Sequence, residues 1–276
     1  MSFRKGTDAG IFWVSEMKCN IICMTGSRER VLKENISEQE VCKIKGAIKT
    51  IFEFMNEVDN YTMLQGNSND FLQYTENKNI DIEKMEEFAN LNRMFMNWLN
   101  TFYVWIEYHE RYHKTVFGKL KGIFYDKYPE YRITYYLRRY TTHQSCCISK
   151  TSFALTTGKI SYLIPVKKIL EEGDMNKQTK SDLRKIESTS SNIDSRELVQ
   201  DTMKIVKEFQ MSLWKEEWGA VVDALKELES YIAMDDVSST YIVFNDEKIR
   251  PICISNPIGY LIQKMSLYSE LRDLIR

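Results

Sequence analysis

Between about residues 82 and 117, apolar side chains return at helical spacing through Phe88, Leu91, Phe95, Leu99, Phe102 and Ile106. His109 and His113 continue the same buried face. Only 11 Gly and 4 Pro interrupt the 276 residues, and 43% of the chain is hydrophobic, so a sizeable core and few disordered tracts are expected. The expected fold class is mainly α, with small β-hairpin additions.

Other segments carry their own signals. Residues 9–24 are apolar and β-prone, ending at Thr25-Gly26-Ser27, and predict one or two strands. Ser37 with Glu40 three residues on forms a capping box that opens a helix through Val41, Ile44, Ile48, Ile51, Phe52 and Met55. The Asn-rich residues 65–80 predict a loop. Pro129 suits the first turn of a helix running to Tyr140 or a little beyond. Gly158 separates β-prone runs at 152–155 and 160–166, a hairpin. Residues 176–195 are polar and rich in Ser, Thr and Lys, an exposed linker by composition. A long helix is expected after Asp194-Ser195, broken near Trp218-Gly219, followed by a hairpin at 241–244 and 251–255 and a short last helix. The expected organisation is a helical domain over 1–175, a linker over 176–195, and a part over 196–276 packing on the same core.

Charge and cysteine usage limit the partners. Lys plus Arg number 38 against 39 Asp plus Glu, so an RNA contact would need a local basic patch rather than a global field. No stretch approaches the roughly 18 apolar residues of a membrane span. The run Ile11-Phe12-Trp13-Val14 is too short and is followed by Glu16 and Lys18, so no membrane and a cytoplasmic location are expected. Six cysteines without a Cys-x-x-Cys pair read as reduced thiols. Gly118 and Gly122 lack the Gly-Lys-Ser/Thr ending of a phosphate loop, and no cofactor is expected.

The densest motif is Tyr131-Arg132-Ile133-Thr134-Tyr135-Tyr136-Leu137-Arg138-Arg139-Tyr140-Thr141-Thr142-His143. It resembles the Tyr-Arg-x-x-Tyr-x-Leu-Arg-Asn-Tyr-x-x-His stretch of a group of uncharacterised bacterial proteins and contains the Arg-x4-His motif of the HEPN superfamily. The resemblance extends, more weakly, over about residues 99–214. It implies a HEPN-like helical bundle that pairs as a homodimer, or with a protein partner, placing two motifs in one cleft. It also implies a metal-independent endoribonuclease or RNA-directed effector, in toxin or phage-defence biology. Arg138 and His143 would be the catalytic pair. Cleavage of RNA by its own 2′-hydroxyl needs an acid or base near neutral pH and a cation for the phosphorane charge, roles those residue types fit. Arg139 departs from the family's usual Asn, which leaves a catalytically inactive interaction module as an alternative.

Helix geometry bears on the pair. At roughly 100° per residue, Arg138 and His143 stand about 140° apart around one straight helix. Arg139 and Tyr135 share the face of His143 more closely. With Arg132 they form the expected substrate-binding set, tyrosines for stacking and arginines for phosphate, although such rings also pack into bundles. The simpler reading pairs Arg138 with a carboxylate and leaves His143 at a helix C-terminus.

His109-Glu110-Arg111-Tyr112-His113 matches His-Glu-x-x-His, in which two histidines on one helix face hold zinc and Glu activates its water. This makes a zinc-dependent hydrolase the other alternative. No third ligand stands out by spacing, so the expectation is a protein without zinc and two hydrogen-bonded histidines at the edge of the core.

Overall fold

The computed structural model describes residues 19–25, 27–76, 80, 83–143, 146–156, 159–232, 239–244 and 250–267. The capping box forms as the sequence predicts. The Ser37 N–H donates to Glu40 Oε2 at 2.9 Å and the Glu40 N–H to Ser37 Oγ at 3.2 Å, opening helix α1 (Glu38–Glu76). Lys33 first, and Ser37 with it, hold the Glu40 carboxyl down at about 2.

Helix α1 does not end at the Asn-rich stretch. Leu64, Ser68, Phe71 and Thr75 fall on one face and are buried, and the Asn67 amide donates to the Met63 carbonyl one turn back at 3.2 Å. Burial of that face outweighs the poor helix propensity of the asparagines, so the loop expected at 65–80 is helix as far as Glu76.

The predicted stripe forms helix α2 (Met85–Tyr112), which buries Leu91, Phe95, Trp98, Leu99, Phe102, Trp105, Ile106 and His109. It stops at His113, which leaves α geometry at φ −122°, ψ 32°, and helix α3 (Lys114–Lys127) follows at once. Helix α4 (Pro129–His143) starts at the proline as expected. Strands β3 (Lys150–Ala154) and β4 (Lys159–Pro165) form the predicted hairpin.

The stretch expected to be a linker is ordered secondary structure. After the short helix α5 (Val166–Glu172), the Asn176 side chain accepts from the Thr179 N–H at 2.8 Å and caps helix α6 (Lys177–Thr189). Only Thr179, Asp182 and Leu183 of α6 are buried, so its composition reads as solvated although its backbone is helical. Strand β5 (Asn192–Asp194) then pairs antiparallel with β4, and helix α7 (Ser195–Glu229) passes Trp218-Gly219 without a break.

The chain divides into two compact units that do not follow the linear split around 176–195. One spans Phe54–Trp218 and holds α2 to α6 and the β3-β4-β5 sheet. Its core is aromatic, Trp98, Phe102, Trp105, Phe117, Tyr131, Phe209 and Trp214 being almost fully buried. The other joins the described residues up to Glu53 with those from Gly219 onward. Its sheet runs β2-β1-β6-β7, from strands β1 (Cys19–Thr25), β2 (Arg28–Ile36), β6 (Ser239–Phe244) and β7 (Ile252–Cys253), followed by helix α8 (Ser255–Leu267). In its middle the fully buried Ile21 and Ile242 face each other as register partners. Residues 9–18 of the predicted N-terminal strands, and the turn at 245–249, lie outside the described residues.

Among the described residues the fold is thus mainly α with two small antiparallel sheets, and no helix is long and apolar enough to cross a membrane.

A buried amide ties α2 to the segment before β3. The Asn92 side chain donates to the Ile148 carbonyl at 3.0 Å and accepts from the Ile148 N–H at 3.2 Å. Asn92→Ala leaves both buried backbone groups unpaired, and a loss of about 2–4 kcal/mol is expected. The check is the urea midpoint, which Asn92→Ala should lower well beyond an exposed control such as Asn97→Ala.

Candidate functional site

Helix α4 presents its chemistry on two faces. Arg138 is half-buried, its guanidinium carbon 3.7 Å from the ring centroid of Tyr103 on α2, and its Nε has no hydrogen-bond partner. Tyr135 lies on that side as well, its ring 6.2 Å from Tyr103 and under the ammonium of Lys121. The other face carries Arg139 and His143, both exposed, one turn apart.

Arg139 and His143 line a small recess of about 90 Å³ with Tyr136, Tyr140, Gly173 and Asp174. The recess is walled by α4 and by the turn that follows α5. Arg139 Nη2 stands 3.5 Å from Asp174 Oδ2, and both side chains are mostly exposed, so this contact is a weak, exchangeable one. The Tyr140 hydroxyl is anchored on Glu172. Gly173 sits against Tyr136: a Cβ there would lie 1.7 Å from the tyrosine hydroxyl and 2.6 Å from the Ile169 carbonyl. Gly173→Ala must push the Tyr136 ring into the recess or shift the turn, and a cost of about 1–3 kcal/mol is expected. A thermal melt indistinguishable from wild type would show that the turn gives way freely.

Within one chain α4 is therefore a continuous helix that separates Arg138 from His143 and groups His143 with Arg139. Tyr135 belongs with Arg138, not with His143. Arg132, expected to bind substrate, is withdrawn from solvent: it donates to Asp182 Oδ2 at 2.8 Å and to the carbonyls of Tyr125 and Asp126. Burial against α6 gives it a structural task instead, one the sequence could not display because Asp182 lies 50 residues away.

Two concave surfaces flank α6. A groove of about 380 Å³ carries Glu130, Asp194, Glu197 and Asp201 and is poorly matched to a polyanion. The opposite character appears along α6 itself, where Lys177, Lys180, Arg184 and Lys185 share a shallow concavity with Ser181 and Ser188. That is a local basic patch of the kind the near-neutral chain would require.

The His-Glu-x-x-His stretch divides as well. Glu110 is exposed and pairs with Lys121, away from the histidines, so it cannot act as the base of a zinc hydrolase there. His109 is fully buried, stacked on Phe117 at 5.2 Å and edge-on to Trp105 at 5.0 Å, and apart from the nearby Gln210 amide its ring nitrogens have no polar partner. Burial, and secondarily the charge of His113, push its pKa down to about 3, with the nearby Gln210 amide opposing weakly. The imidazole is neutral.

The expected hydrogen-bonded histidine at the core edge is met by His113, whereas His109 lies fully inside the core. His113 donates through Nδ1 to Glu217 of α7, and its Nε2 faces Glu57 Oε2 of α1 at 3.6 Å. Glu57 is fully buried; its Oε1 accepts from the Gln210 amide, whose own oxygen accepts from the Trp105 indole at 2.7 Å. Burial first, then the neighbouring Glu217 carboxyl, raise the Glu57 pKa well above the carboxylate range. Burial also opposes ionisation of Glu217, but its bond from His113 and its contact with Glu57 outweigh that and hold it below its ordinary value. One donor atom from each of Glu57, His109 and His113 lies within 4.8 Å of the other two. Sequence reasoning found the two histidines and missed Glu57 and Glu217, which no local spacing connects to them.

Neither the family models, nor the curated proteins, nor the solved structures contain a match to this chain.

Proposed function

We propose that the chain is an RNA-directed effector that cleaves RNA without a metal at its reacting centre, with Arg139 and His143 as the working pair. The observation that carries this is their shared recess at the end of α4, one helical turn apart and open to solvent. The basic concavity on α6 supports it by offering the phosphate backbone a place to lie. The resemblance of residues 131–143 to the HEPN stretch supplies the reaction type, and Arg139 takes the phosphate-binding role that Arg138, stacked on Tyr103, is poorly placed to fill.

In the proposed reaction the 2′-oxygen of RNA bonds to phosphorus as the bond from phosphorus to the 5′-oxygen breaks. One His143 removes the 2′ proton. In a two-fold pairing of chains through α4, the second His143 returns a proton to the departing 5′-oxygen, and Arg139 holds the phosphorane charge. The products are a 2′,3′-cyclic phosphate and a 5′-hydroxyl. The test incubates mixed RNA with the protein in EDTA, after circular dichroism has established that the chelated protein is still folded, and analyses the ends by mass spectrometry. Cleavage to cyclic-phosphate ends is expected, while a single-stranded DNA of the same sequence remains intact.

A second reading, an interaction module that cuts nothing, is favoured by one specific observation: Arg138 of the Arg-x4-His motif is half-buried over Tyr103 rather than presented beside His143. Intact RNA from a folded protein, together with retained RNA binding, would select it.

A further inference from the structure

We propose that Glu57, His109 and His113 form a binding site for one divalent transition-metal ion, zinc foremost, inside the Phe54–Trp218 unit. The sequence lacked a third donor, and α1 supplies it in Glu57, 52 residues before His109.

Three features make this a built site rather than a chance cluster. The first is spacing. Ligands about 2.0–2.2 Å from a tetrahedral ion stand about 3.4 Å from one another. His113 Nε2 and Glu57 Oε2 are 3.6 Å apart, too far for a good hydrogen bond and close to the separation of two ligands on one ion.

The second is orientation from outside. Glu217 accepts the Nδ1 proton of His113, which fixes the tautomer and leaves the Nε2 lone pair directed at Glu57. Gln210, itself held by Trp105, grips the far oxygen of Glu57 and turns Oε2 inward. Each of these two ligands is therefore aimed by a partner that does not touch the ion.

The third is what is left unsatisfied. Nε2 of His113 lacks a hydrogen-bond partner, the ring nitrogens of the fully buried His109 have only the Gln210 amide near them, and Oε2 of Glu57 has only the neighbouring Glu217 carboxyl, and buried polar atoms are rarely left so poorly matched. One cation coordinated by three of these atoms resolves most of that deficit at once. Charge also closes, since a dication with the Glu57 and Glu217 carboxylates sums to zero inside an apolar shell of Trp105 and Phe117.

Two imidazoles with one carboxylate suit borderline ions such as zinc or cobalt(II) and leave a fourth tetrahedral position for water. The arrangement differs from the zinc-hydrolase reading of the same histidines, because the carboxylate is Glu57 and Glu110 has no part. None of its residues belongs to the recess of Arg139 and His143, so its success or failure is independent of RNA cleavage.

The experiment loads the full chain with zinc or cobalt(II), removes excess by gel filtration, and measures metal per chain by elemental analysis. Wild type is expected to retain one ion per chain, and cobalt(II) should give the strong visible absorption of a tetrahedral centre. Glu57→Gln should lose the ion; Glu217→Gln should weaken binding by about 10- to 100-fold, the scale for a partner that aims a ligand. Glu110→Gln should bind as wild type. Since a change in the core can unfold the chain, circular dichroism and thermal melts of each variant accompany the measurement, and added zinc should raise the melting temperature of wild type but not of folded Glu57→Gln. Wild type that retains no metal and melts at the same temperature with and without zinc, or folded Glu57→Gln that binds as tightly as wild type, overturns the proposal.

Discussion

Arg132→Ala is expected to destabilise the Phe54–Trp218 unit by about 3–5 kcal/mol, the scale for removing one partner of a buried ion pair. Arg132 on α4 is only 4% exposed, and Asp182 on α6 only 6%. The arginine donates to that carboxylate at 2.8 Å, while Nη1 reaches the carbonyls of Tyr125 and Asp126 in the last turn of α3. The truncated variant would bury a carboxylate without a counter-ion and leave two carbonyls short of a donor. Arg132→Lys should recover little, because an ammonium on a flexible stem cannot reproduce a planar fork aimed at three acceptors. The double variant Arg132→Met with Asp182→Leu should cost much less than the sum of the two single changes, since it removes the unpaired charge together with its partner. Urea unfolding of wild type, the three Arg132 single variants, Asp182→Leu and the double variant decides it. A loss below about 1 kcal/mol for Arg132→Ala would mean that solvent reaches Asp182 and that the pair behaves as a surface bridge.

That residue also shows where the sequence stops being legible. The alternation of arginines and tyrosines over 131–143 looks like a surface for nucleic acid, but in the fold Tyr131, Arg132 and Tyr140 turn inward while Arg139 and His143 turn outward. Helical periodicity was enough to place α2, and local chemistry placed the Ser37–Glu40 cap, the Pro129 start and the β3-β4 hairpin. Each of those signals lies within a few residues of what it specifies. The misread segments depend on distant partners. Asn-rich residues up to 76 are helical because Phe71 packs on Phe95 at 5.4 Å, and α6 is helical because Leu183 and Asp182 have somewhere to go. The same holds for chemistry. His109 and His113 announce a shared face through their spacing, whereas Glu57 and Glu217 join them only through the packing of α1 and α7.

His143→Ala is expected to lower RNA cleavage by about a hundredfold or more, the usual consequence of removing a general acid or base. The companion substitutions distinguish the two arginines. Arg139 shares the recess with His143, so Arg139→Ala should cause a comparable loss, and Arg139→Asn, the residue type of the resembling stretch, should not restore activity. Arg138 lies over Tyr103, so Arg138→Ala should act mainly on stability, through loss of a contact worth on the order of 1 kcal/mol. Asp174 is the counter-charge that a phosphate must displace from Arg139, and Asp174→Asn should leave the maximal rate nearly unchanged while tightening RNA binding modestly. The pattern separates three outcomes. Losses at His143 and Arg139 with retention at Arg138 support the recess as the reacting centre. Losses at His143 and Arg138 with retention at Arg139 would return the chemistry to the Arg-x4-His pair and require the two residues to meet across two chains, since five residues on a continuous helix point them about 140° apart. Equal cleavage by wild type and His143→Ala would remove His143 from the reaction altogether.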